Sequence, residues 1–482
     1  MERFDAGMLI DGARVDGKRR QEVRNPARPD EVVGSIVLGT AQDMDHAVQA
    51  AAAAQGAWER LGFLRRAQLI DQALDQLGTD LDARATLFVR ENGKTLAEAR
   101  RELGDVATRA RLTLELTAEL EATQRLPSAN GFTEVRWRPY GVVVSIVPWN
   151  APVSLASMQI IPALLAGNTV VVKAPETCPL ALLQAVGLLA RVLPPGVLNA
   201  VTGLPADIGD ALTRHPLVSK IGFTGGASSA RTILGNAAAG ITSVTLELGG
   251  NDPAIVLPDA RLDDAMLQQM ATTVLRMTGQ VCMAIKRIYV PESLHDDFVR
   301  RFAAALDRCV VGDGLKPAVT MGPLHTRAAL LRAQAILEDA RQRGARIQTL
   351  GQVDDPATFE RGHFLRPTLV TGLDDHARLV VEEQFCPAIP VLRYRELDDA
   401  VARANDTSFG LGASVWGGNT EEAASVAWRL QAGTVFVNAH GTNAVNRKAT
   451  YGGVKQSGGG RRAGIEGMRE YQQSQTLTVL NP

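Results

Sequence analysis

The chain has 482 residues, of which 45% are hydrophobic and 21% charged, and its formal net charge at pH 7 is -1. A chain of this length buries a large core and is expected to divide into two or more domains. A net charge near zero gives no electrostatic footprint for nucleic acid or for an anionic membrane surface. Small metabolites are therefore the expected partners.

The N-terminal sequence and the cysteine positions indicate the compartment and the kinds of site to expect. Residues 1–20 contain no apolar stretch long enough for a signal peptide, and no segment approaches a transmembrane span, so we expect a cytoplasmic protein. No C-x-x-C pair occurs, and no histidine stands at metal-ligand spacing from any of the four cysteines, Cys178, Cys282, Cys309 and Cys386. We expect neither a metal site nor a disulfide scaffold, and an isolated cysteine is most often a buried small hydrophobe.

The predicted elements change character along the chain. Short strands at 8–10 and 31–36 precede an alanine-rich helix with Thr40 as a possible cap, and helical patterns continue to about residue 121. From residue 134, short β-branched runs that end in Gly, Pro or Asn alternate with helical stretches such as 178–193 and 206–214. This alternation predicts an α/β fold with a parallel sheet covered on both faces, in which ligands bind at the carboxyl ends of the strands.

Three further patterns bear on cofactor binding, on division into domains and on assembly. No G-x-G-x-x-G fingerprint follows a strand, and the nearest substitute is "FTGGASSA" (223–230), a strand end running into a helix start that could offer N–H groups to a phosphate. A second α/β pattern begins near Asn251 and predicts a separate domain. The tail "EYQQSQTLTVL" alternates like an edge strand, which makes it a plausible oligomer contact.

Polar groups gather in four strand-end or loop segments. "PWN" supplies Asn150, "KAPE" supplies Lys173 and Glu176, "LELGGND" supplies Glu247, and "GQVC" supplies Cys282. Each one alone also fits an ordinary role, as a turn residue, a solvated ion pair, a surface carboxylate or a packed thiol. Their combination and order are what point to an active site.

With these segments, the chain resembles the aldehyde dehydrogenase superfamily over nearly its whole length. The resemblance rests on "PWN", "GNTVVVKAPE", "FTGG", "LELGGND", "GQVC", "EEQFCP" and "YGGVKQSG", in the family's order and spacing. It implies a Rossmann-like parallel-sheet cofactor domain (1–120 and 140–247), an α/β catalytic domain (248–450) and a small β oligomerisation arm (121–139 and 451–482). It also implies a homodimer or homotetramer.

The resemblance implies a reaction with three catalytic residues. Cys282 would attack the aldehyde, and Asn150 with the Cys282 backbone N–H would hold the developing oxyanion. Hydride transfer to the nicotinamide would leave a thioester, and Glu247 would act as general base for the water that hydrolyses it.

NAD is the implied cofactor. Lys173 and Glu176 would bind the adenosine ribose, and NADP is less favoured because the Glu176 carboxylate repels a 2′-phosphate. The other cofactor-binding positions are Trp149, Gly203, Gly225, Gly226, Leu248, Gly249, Glu383 and Phe385. The chain departs from the family's usual residues at Gly226, Ala230, Met277 and Cys386.

The substrate remains open between two classes. The predicted pocket residues are Met158, Arg276, Val281, Met283 and His440. The helix after "PWN" lacks aromatic side chains, which favours a wide tunnel and a bulky apolar aldehyde, aromatic or terpenoid. Alternatively, Arg276 matches a carboxylate-binding arginine of succinate-semialdehyde dehydrogenases and would bind a semialdehyde or other anionic aldehyde, with Arg447 and Lys448 nearby. Pairing of Arg276 with an internal carboxylate is the structural alternative.

Rival functions differ in the fate of the acyl group. A coenzyme A-acylating dehydrogenase would transfer the thioester, but such relatives generally lack the glutamate that Glu247 supplies. A cofactor-independent thiol hydrolase would pair Cys282 with His440.

Overall fold

The computed structural model describes residues 3–480 and begins with short strands followed by helices. The strands are β1 (Phe4–Ala6), β2 (Met8–Ile10), β3 (Ala13–Val15), β4 (Arg20–Asn25) and β5 (Arg28–Val37). The helices are α1 (Ala41–Arg60), α2 (Gly62–Asp75), α3 (Leu81–Asn92), α4 (Leu96–Leu114) and α5 (Thr117–Glu121). Helix α1 begins after Thr40 as predicted, because Thr40 and Asp43 cap each other's backbone N–H groups.

Between residues 124 and 247, a hairpin is followed by strands alternating with helices. The elements are β6 (Gln124–Ser128), β7 (Gly131–Pro139), β8 (Val142–Ile146), α6 (Pro152–Ala166), β9 (Thr169–Lys173), α7 (Leu180–Ala190), β10 (Leu198–Val201), α8 (Pro205–Thr213), β11 (Val218–Thr224), α9 (Ala227–Ala238) and β12 (Ser243–Glu247). The predicted helices at 178–193 and 206–214 correspond to α7 and α8.

The first large sheet contains five parallel strands in the order β12-β11-β8-β9-β10, continued by antiparallel β2 and β3. Its valines alternate between two cores: Val143 and Val170 pack with helices α2, α3, α4, α6 and α7, whereas Val144 and Val171 pack with α1, α8 and α9. Burial on both faces explains why these strands read as uninterrupted apolar runs. The α/β class with parallel sheets is confirmed.

The second large sheet is built from the rest of the chain up to residue 437. Its elements and their neighbours are β13 (Asp252–Val256), α10 (Asp264–Leu275), β14 (Ile285–Pro291), α11 (Glu292–Asp307), β15 (Val310–Val311), α12 (Arg327–Gln342), β16 (Arg346–Thr349), β17 (Gln352–Val353), α13 (Pro356–Arg361), β18 (Thr368–Thr371), α14 (Arg378–Val381), β19 (Ala388–Tyr394), α15 (Leu397–Asn405), β20 (Gly412–Trp416), α16 (Thr420–Ala427) and β21 (Thr434–Val437). The parallel order is β18-β19-β14-β13-β20-β21, with antiparallel β16 at one edge, while β15 and β17 pair separately.

The last elements of the chain include two strands that pair with earlier strands. They are β22 (Gly458–Gly459), α17 (Gly464–Arg469) and β23 (Gln472–Leu480). β22 pairs with β12, with Gly458 opposite Glu247. β23 is an edge strand of an antiparallel sheet in the order β23-β7-β6, as its alternation predicts. Of the described residues in the predicted arm, 124–128, 131–139 and 472–480 form this sheet, whereas β22 joins the first sheet; the domain boundaries stay a prediction.

Within residues 3–480, no helix is both long enough and apolar enough to cross a bilayer.

Candidate active site

The predicted site residues meet at one edge of the first sheet. Because its central strands run parallel, their carboxyl ends share an edge, and there lie Asn150 after β8, Lys173 at the end of β9, Gly203 after β10 and Glu247 at the end of β12. The second sheet meets this edge with the amino ends of its strands, because Cys282 shortly precedes β14. The connections between strands therefore bring the nucleophile and the predicted base together.

A cavity of about 410 Å³ lies at this junction. Cys282, Glu247 and Asn150 line it, and so do the predicted pocket residues Met158, Arg276, Val281 and Met283. His440 does not line it: its side chain is fully buried behind the wall, and its Nε2 lies 3.2 Å from Asp252 Oδ2. The wall also contains polar residues that were not predicted from the sequence: Glu98, Arg101, Glu102, Arg109 and Arg462.

The loop before Cys282 has an unusual backbone. Met277, Thr278 and Gly279 have φ values of 47°, 60° and 72°, three consecutive residues in the left-handed region. The buried Lys286 holds the following residues, because its Nζ donates to the carbonyls of Val281 (2.5 Å) and Cys282 (3.2 Å). Lys286 was missed from the sequence, although the basic "KR" at the start of β14 was a signal for it.

Cys282 is a neutral thiol in this environment. Burial is the main cause that raises its pKa to about 12; Lys286 opposes the rise, and the carboxylates of Glu383 and Glu247 add to it. Because the thiolate is the reactive form, the thiol must lose its proton as it attacks. A proton acceptor in the same cavity is therefore part of any chemistry at Cys282.

Asn150 is fixed from two sides. Its side-chain Nδ2 donates to the Gln280 carbonyl at 2.9 Å, and Lys94 Nζ donates to its backbone carbonyl at 3.0 Å. Lys94 is itself buried in an ion pair with Glu102 at 2.5 Å. Within residues 3–480, the Cys282 backbone N–H has no hydrogen-bond acceptor. That N–H and the second amide hydrogen of Asn150 are the donors available to an oxyanion.

Glu247 has the properties of a general base. Burial raises its pKa to about 7, and the nearby Arg462 and Arg461 partly oppose the rise. Within the described part of the chain, its Oε1 is buried without a hydrogen-bond partner. A carboxyl group with this pKa exchanges protons readily near neutral pH and has a free oxygen for a water molecule.

The predicted ribose-binding residues lie together at the end of β9. Lys173 Nζ and Glu176 Oε2 form an ion pair at 2.6 Å. Helix α9 starts after Gly226, which makes no side-chain cap, and a Cβ at Gly226 would meet no atom within 4 Å. Gly226 therefore leaves open space beside the start of α9, at a carboxyl strand end where helix N–H groups can bind a phosphate.

The remaining predicted cofactor residues form a packed group. Trp149 stacks on His325 with ring centroids 4.4 Å apart, and Phe385 meets Trp149 edge-on at 5.9 Å. A Cβ at Gly249 would lie 2.1 Å from Glu383 Oε2, so a larger residue there would displace this carboxylate. Glu383 Oε1 in turn accepts from the Gly250 N–H at 3.0 Å.

Three other predicted positions have backbone roles. Gly225 donates its N–H to the Glu247 carbonyl at 3.1 Å, and Leu248 donates to the Ser457 carbonyl at 2.9 Å. A Cβ at Gly203 would lie 2.9 Å from Ile208 Cδ1. These contacts hold the chain close along the strand ends.

Arginines line the far part of the cavity. Arg276 donates to Thr442 Oγ1 at 2.6 Å and to Asn443 Oδ1 at 3.0 Å, and Arg447 donates to the Thr442 carbonyl at 2.9 Å. Within residues 3–480, neither guanidinium has a carboxylate oxygen within 4.0 Å. The structural alternative of an internal ion pair for Arg276 is therefore wrong, and Lys448 pairs instead with Glu115 at 3.0 Å.

Comparison with known proteins shows the family of this chain. The sequence matches the aldehyde dehydrogenase family over residues 14–477. It is 35% identical to human aldehyde dehydrogenase 1A1 over 476 residues, which cover 96% of this chain and 92% of that protein.

Two solved structures are similar over nearly all of both chains. An NADP-dependent enzyme from E. coli superposes with a TM-score of 0.94 at 32% identity, covering 99% of this chain and 98% of that chain. Betaine aldehyde dehydrogenase from Staphylococcus aureus, in complex with NAD+, superposes with a TM-score of 0.92 at 30% identity, covering 98% of this chain and 94% of that one. With these matches and the residues assembled at the sheet edge, the chain belongs to the aldehyde dehydrogenase family.

Proposed function

We propose that the protein oxidises an aldehyde to the carboxylic acid with NAD, through a thiohemiacetal and then a thioester on Cys282. The observation that carries this proposal is the convergence of Cys282, Asn150 and Glu247 on one cavity at the junction of the two sheets.

In the first step, the Cys282 sulfur attacks the aldehyde carbonyl carbon. The thiol proton leaves as the S–C bond forms, and Glu247 is the titratable group in the cavity whose pKa, about 7, suits it as acceptor. Negative charge develops on the carbonyl oxygen, where the Asn150 amide and the Cys282 N–H donate hydrogen bonds.

The residues at the strand ends would bind NAD. The open start of α9 would hold the pyrophosphate, Lys173 and Glu176 the adenosine ribose, and Glu383 the nicotinamide ribose. When bound, the nicotinamide supplies the electron acceptor that converts the thiohemiacetal into the thioester. NAD is favoured over NADP because the Glu176 carboxylate would repel a 2′-phosphate.

In the last step, water hydrolyses the thioester. Glu247 first releases to solvent the proton that it took from Cys282. It then takes a proton from the water as the water oxygen attacks the acyl carbon, and it returns that proton to the sulfur as the C–S bond breaks, which releases the acid and the Cys282 thiol. The unpartnered Oε1 of Glu247 is the atom available to that water.

The test is NADH formation at 340 nm from a panel of aldehydes with NAD or NADP. We expect cysteine-dependent NADH with NAD, complete loss in Cys282→Ala, and retention in Cys309→Ala, a matched control because Cys309 lines the same cavity away from the proposed donors. Equal activity in wild type and Cys282→Ala would refute the proposed nucleophile.

For the substrate, the wall near Cys282 favours a bulky apolar aldehyde, aromatic or terpenoid. Leu155, Met158, Val281, Met283 and Leu411 line this region, and apolar walls recognise substrate by burial of apolar surface.

A second substrate class is favoured by the arginines. Arg276 and Arg447 are partly buried cations without a carboxylate partner among residues 3–480, and burial lowers the pKa of both. An aldehyde with a distant anionic group would add a direct counter-ion, since the Glu98 and Glu102 carboxylates favour the charged form of Arg276 without pairing with it directly. Comparing kcat/KM for neutral and anionic aldehydes in wild type and Arg276→Leu decides between the classes, since a selective loss of the anionic aldehyde supports this one and an unchanged ratio excludes it.

The rival reactions are less well supported. Glu247 provides the base that a coenzyme A-acylating enzyme does not need, and the buried position of His440 separates it from the cavity that Cys282 faces. For assembly, we propose a homodimer or homotetramer formed through the edge strand β23.

A further inference from the structure

Arg462 is a buried cation in the wall of the active-site cavity. It is 3% exposed, and its guanidinium donates long hydrogen bonds to two neutral oxygens, the Met158 carbonyl at 3.4 Å and Thr224 Oγ1 at 3.3 Å, and also approaches the Tyr471 hydroxyl. Within residues 3–480, no carboxylate oxygen lies within 4.0 Å of it. Burying a cation without a close counter-charge is costly, so such a residue calls for a reason.

The hydrogen bond to Thr224 places Arg462 near Glu247, because Thr224 and Glu247 are register partners in β11 and β12. β22 pairs with the end of β12, so that Gly458 lies opposite Glu247, and the chain then turns back so that Arg462 and Tyr451 exchange backbone hydrogen bonds of 2.7 and 2.9 Å. Within this turn, a Cβ at Gly452 would lie 3.2 Å from Glu247 Oε1. Residues 451–462, the closing hairpin, therefore cover the Glu247 carboxyl.

Charged and titratable groups face Glu247 from several elements. They are Arg461, Arg462 and Tyr451 from the closing hairpin, Glu470 and Tyr471 after α17, and Cys282 before β14. Two of them are engaged elsewhere: Arg461 donates to the carbonyls of Gly453 and Gly460 at 3.2 and 2.8 Å, and Glu470 is paired with Lys220 at 3.2 Å. The hydrogen bonds of Arg462, at 3.3 and 3.4 Å, are longer than those of Arg461.

We propose that Arg462 is a positioning residue for the reaction: its guanidinium is the counter-charge that keeps Glu247 an ionised base during thioester hydrolysis. The inference rests on the proposed function, because it assigns Arg462 to the step that Glu247 performs. Of the cations near Glu247, Arg462 opposes the burial-driven rise of its pKa most strongly.

The experiment follows hydrolysis of an acyl-Cys282 directly and needs no cofactor. p-Nitrophenyl acetate transfers its acetyl group to the Cys282 sulfur and releases p-nitrophenol; water then attacks the thioester, Glu247 takes the proton, and acetate leaves with return of the thiol. Intact mass spectrometry after removal of excess ester gives the lifetime of the acetyl-enzyme from pH 5.5 to 9.5.

For the wild type, we expect the hydrolysis rate to rise with pH through about 7, where Glu247 loses its proton. Arg462→Gln removes the counter-charge, so the midpoint should move up by about one pH unit, which slows hydrolysis near pH 6 about tenfold and leaves it nearly unchanged at pH 9. Arg462→Lys keeps the charge and should restore most of the profile.

Controls separate this role from folding and from the proposed function. Arg231→Gln removes an exposed arginine that donates to Gln456 Oε1 and should leave the profile unchanged. An unmoved midpoint in Arg462→Gln, or equal loss in the Gln and Lys variants at every pH, would overturn the proposal for Arg462. Absence of acetylation at Cys282 in the wild type would instead overturn the proposed nucleophile and the inference with it.

Discussion

Asn150 has its carbonyl and its amide held by different parts of the chain, so its orientation does not depend on a bound substrate. Asn150→Ala removes one of the two proposed oxyanion donors and should lower kcat about 10²–10³-fold. NADH formation at saturating aldehyde measures this, with thermal melting as the check that the fold persists. A loss below tenfold would mean that the Cys282 N–H suffices alone.

Glu247 makes a second residue-scale prediction. Its carboxyl must be deprotonated to accept a proton, so turnover should increase as pH rises through its pKa of about 7 and level off above it. Glu247→Gln should lower steady-state turnover by about 10²–10⁴-fold. Because Glu247 is proposed both to accept the thiol proton and to activate water, mass spectrometry of the variant after one turnover separates the two roles. An added acyl mass on Cys282 shows that hydrolysis is the slower step without Glu247, and its absence shows that thiol deprotonation is the slower step.

The sequence predicts the place of some residues in the site but not of others. Glu247 ends a predicted strand, Cys282 precedes one, and both sit in recognisable motifs, so their convergence could be predicted. Lys94 and Arg462 could not: Lys94 follows the end of α3 yet contacts Asn150, and Arg462 contacts Thr224 from the far end of the chain. Such contacts depend on how elements pack, and no local pattern encodes them.

At the scale of elements, the loop before Cys282 has an unusual backbone conformation and little space around it. A Cβ on Gly279 would lie 2.6 Å from the Cys386 carbonyl oxygen, and the residue has φ of 72°. Gly279→Ala should lower the free energy of unfolding by about 1–3 kcal/mol and reduce activity by displacing Cys282.

Gly235→Ala is the matched control. Gly235 lies inside α9, and a Cβ there would meet no atom within 4 Å, so alanine should raise stability by about 0.5–1 kcal/mol. Chemical denaturation measures both variants, and equal stability of Gly279→Ala and wild type would show that the loop can shift at no cost.

Regular elements were more predictable than this loop. The valine runs of β8 and β9 and the capped start of α1 follow from residue type and spacing. Helix α7 spans Leu180–Ala190 rather than 178–193, because Pro179 lies at its start and a turn replaces its last residues. The left-handed run at 277–279 has only one glycine, so glycine content alone does not reveal it.

At the scale of the whole molecule, the edge strand β23 predicts assembly. Leu477 and Leu480 are 52% and 70% exposed on it, and lysine on an edge strand opposes pairing with another chain. Leu477→Lys with Leu480→Lys should shift the molar mass measured by light scattering from an oligomer toward a monomer. Leu331→Lys, at a 53% exposed leucine on α12, is the control, and an unchanged mass in the double variant would exclude β23 as the contact.

The global arrangement was only partly predictable. Alternating strands and helices indicate parallel sheets, and parallel sheets indicate where ligands bind. That the amino ends of the second sheet would meet the carboxyl edge of the first could not be derived from periodicity, because the short connection from Glu247 to Asp252 permits several orientations. The cytoplasmic location likewise stays a prediction.

The closing hairpin also sets when the enzyme becomes competent during its synthesis. The ribosome makes Cys282 and Glu247 well before residues 451–462, and every strand from β1 to β21 precedes them. Since Tyr451 and Arg462 complete the cavity wall, a nascent chain carries the thiol and the carboxylate without their finished surroundings. We therefore expect unfinished polypeptides to be poor catalysts, with activity appearing only once residues 451–462 have emerged and folded against β12.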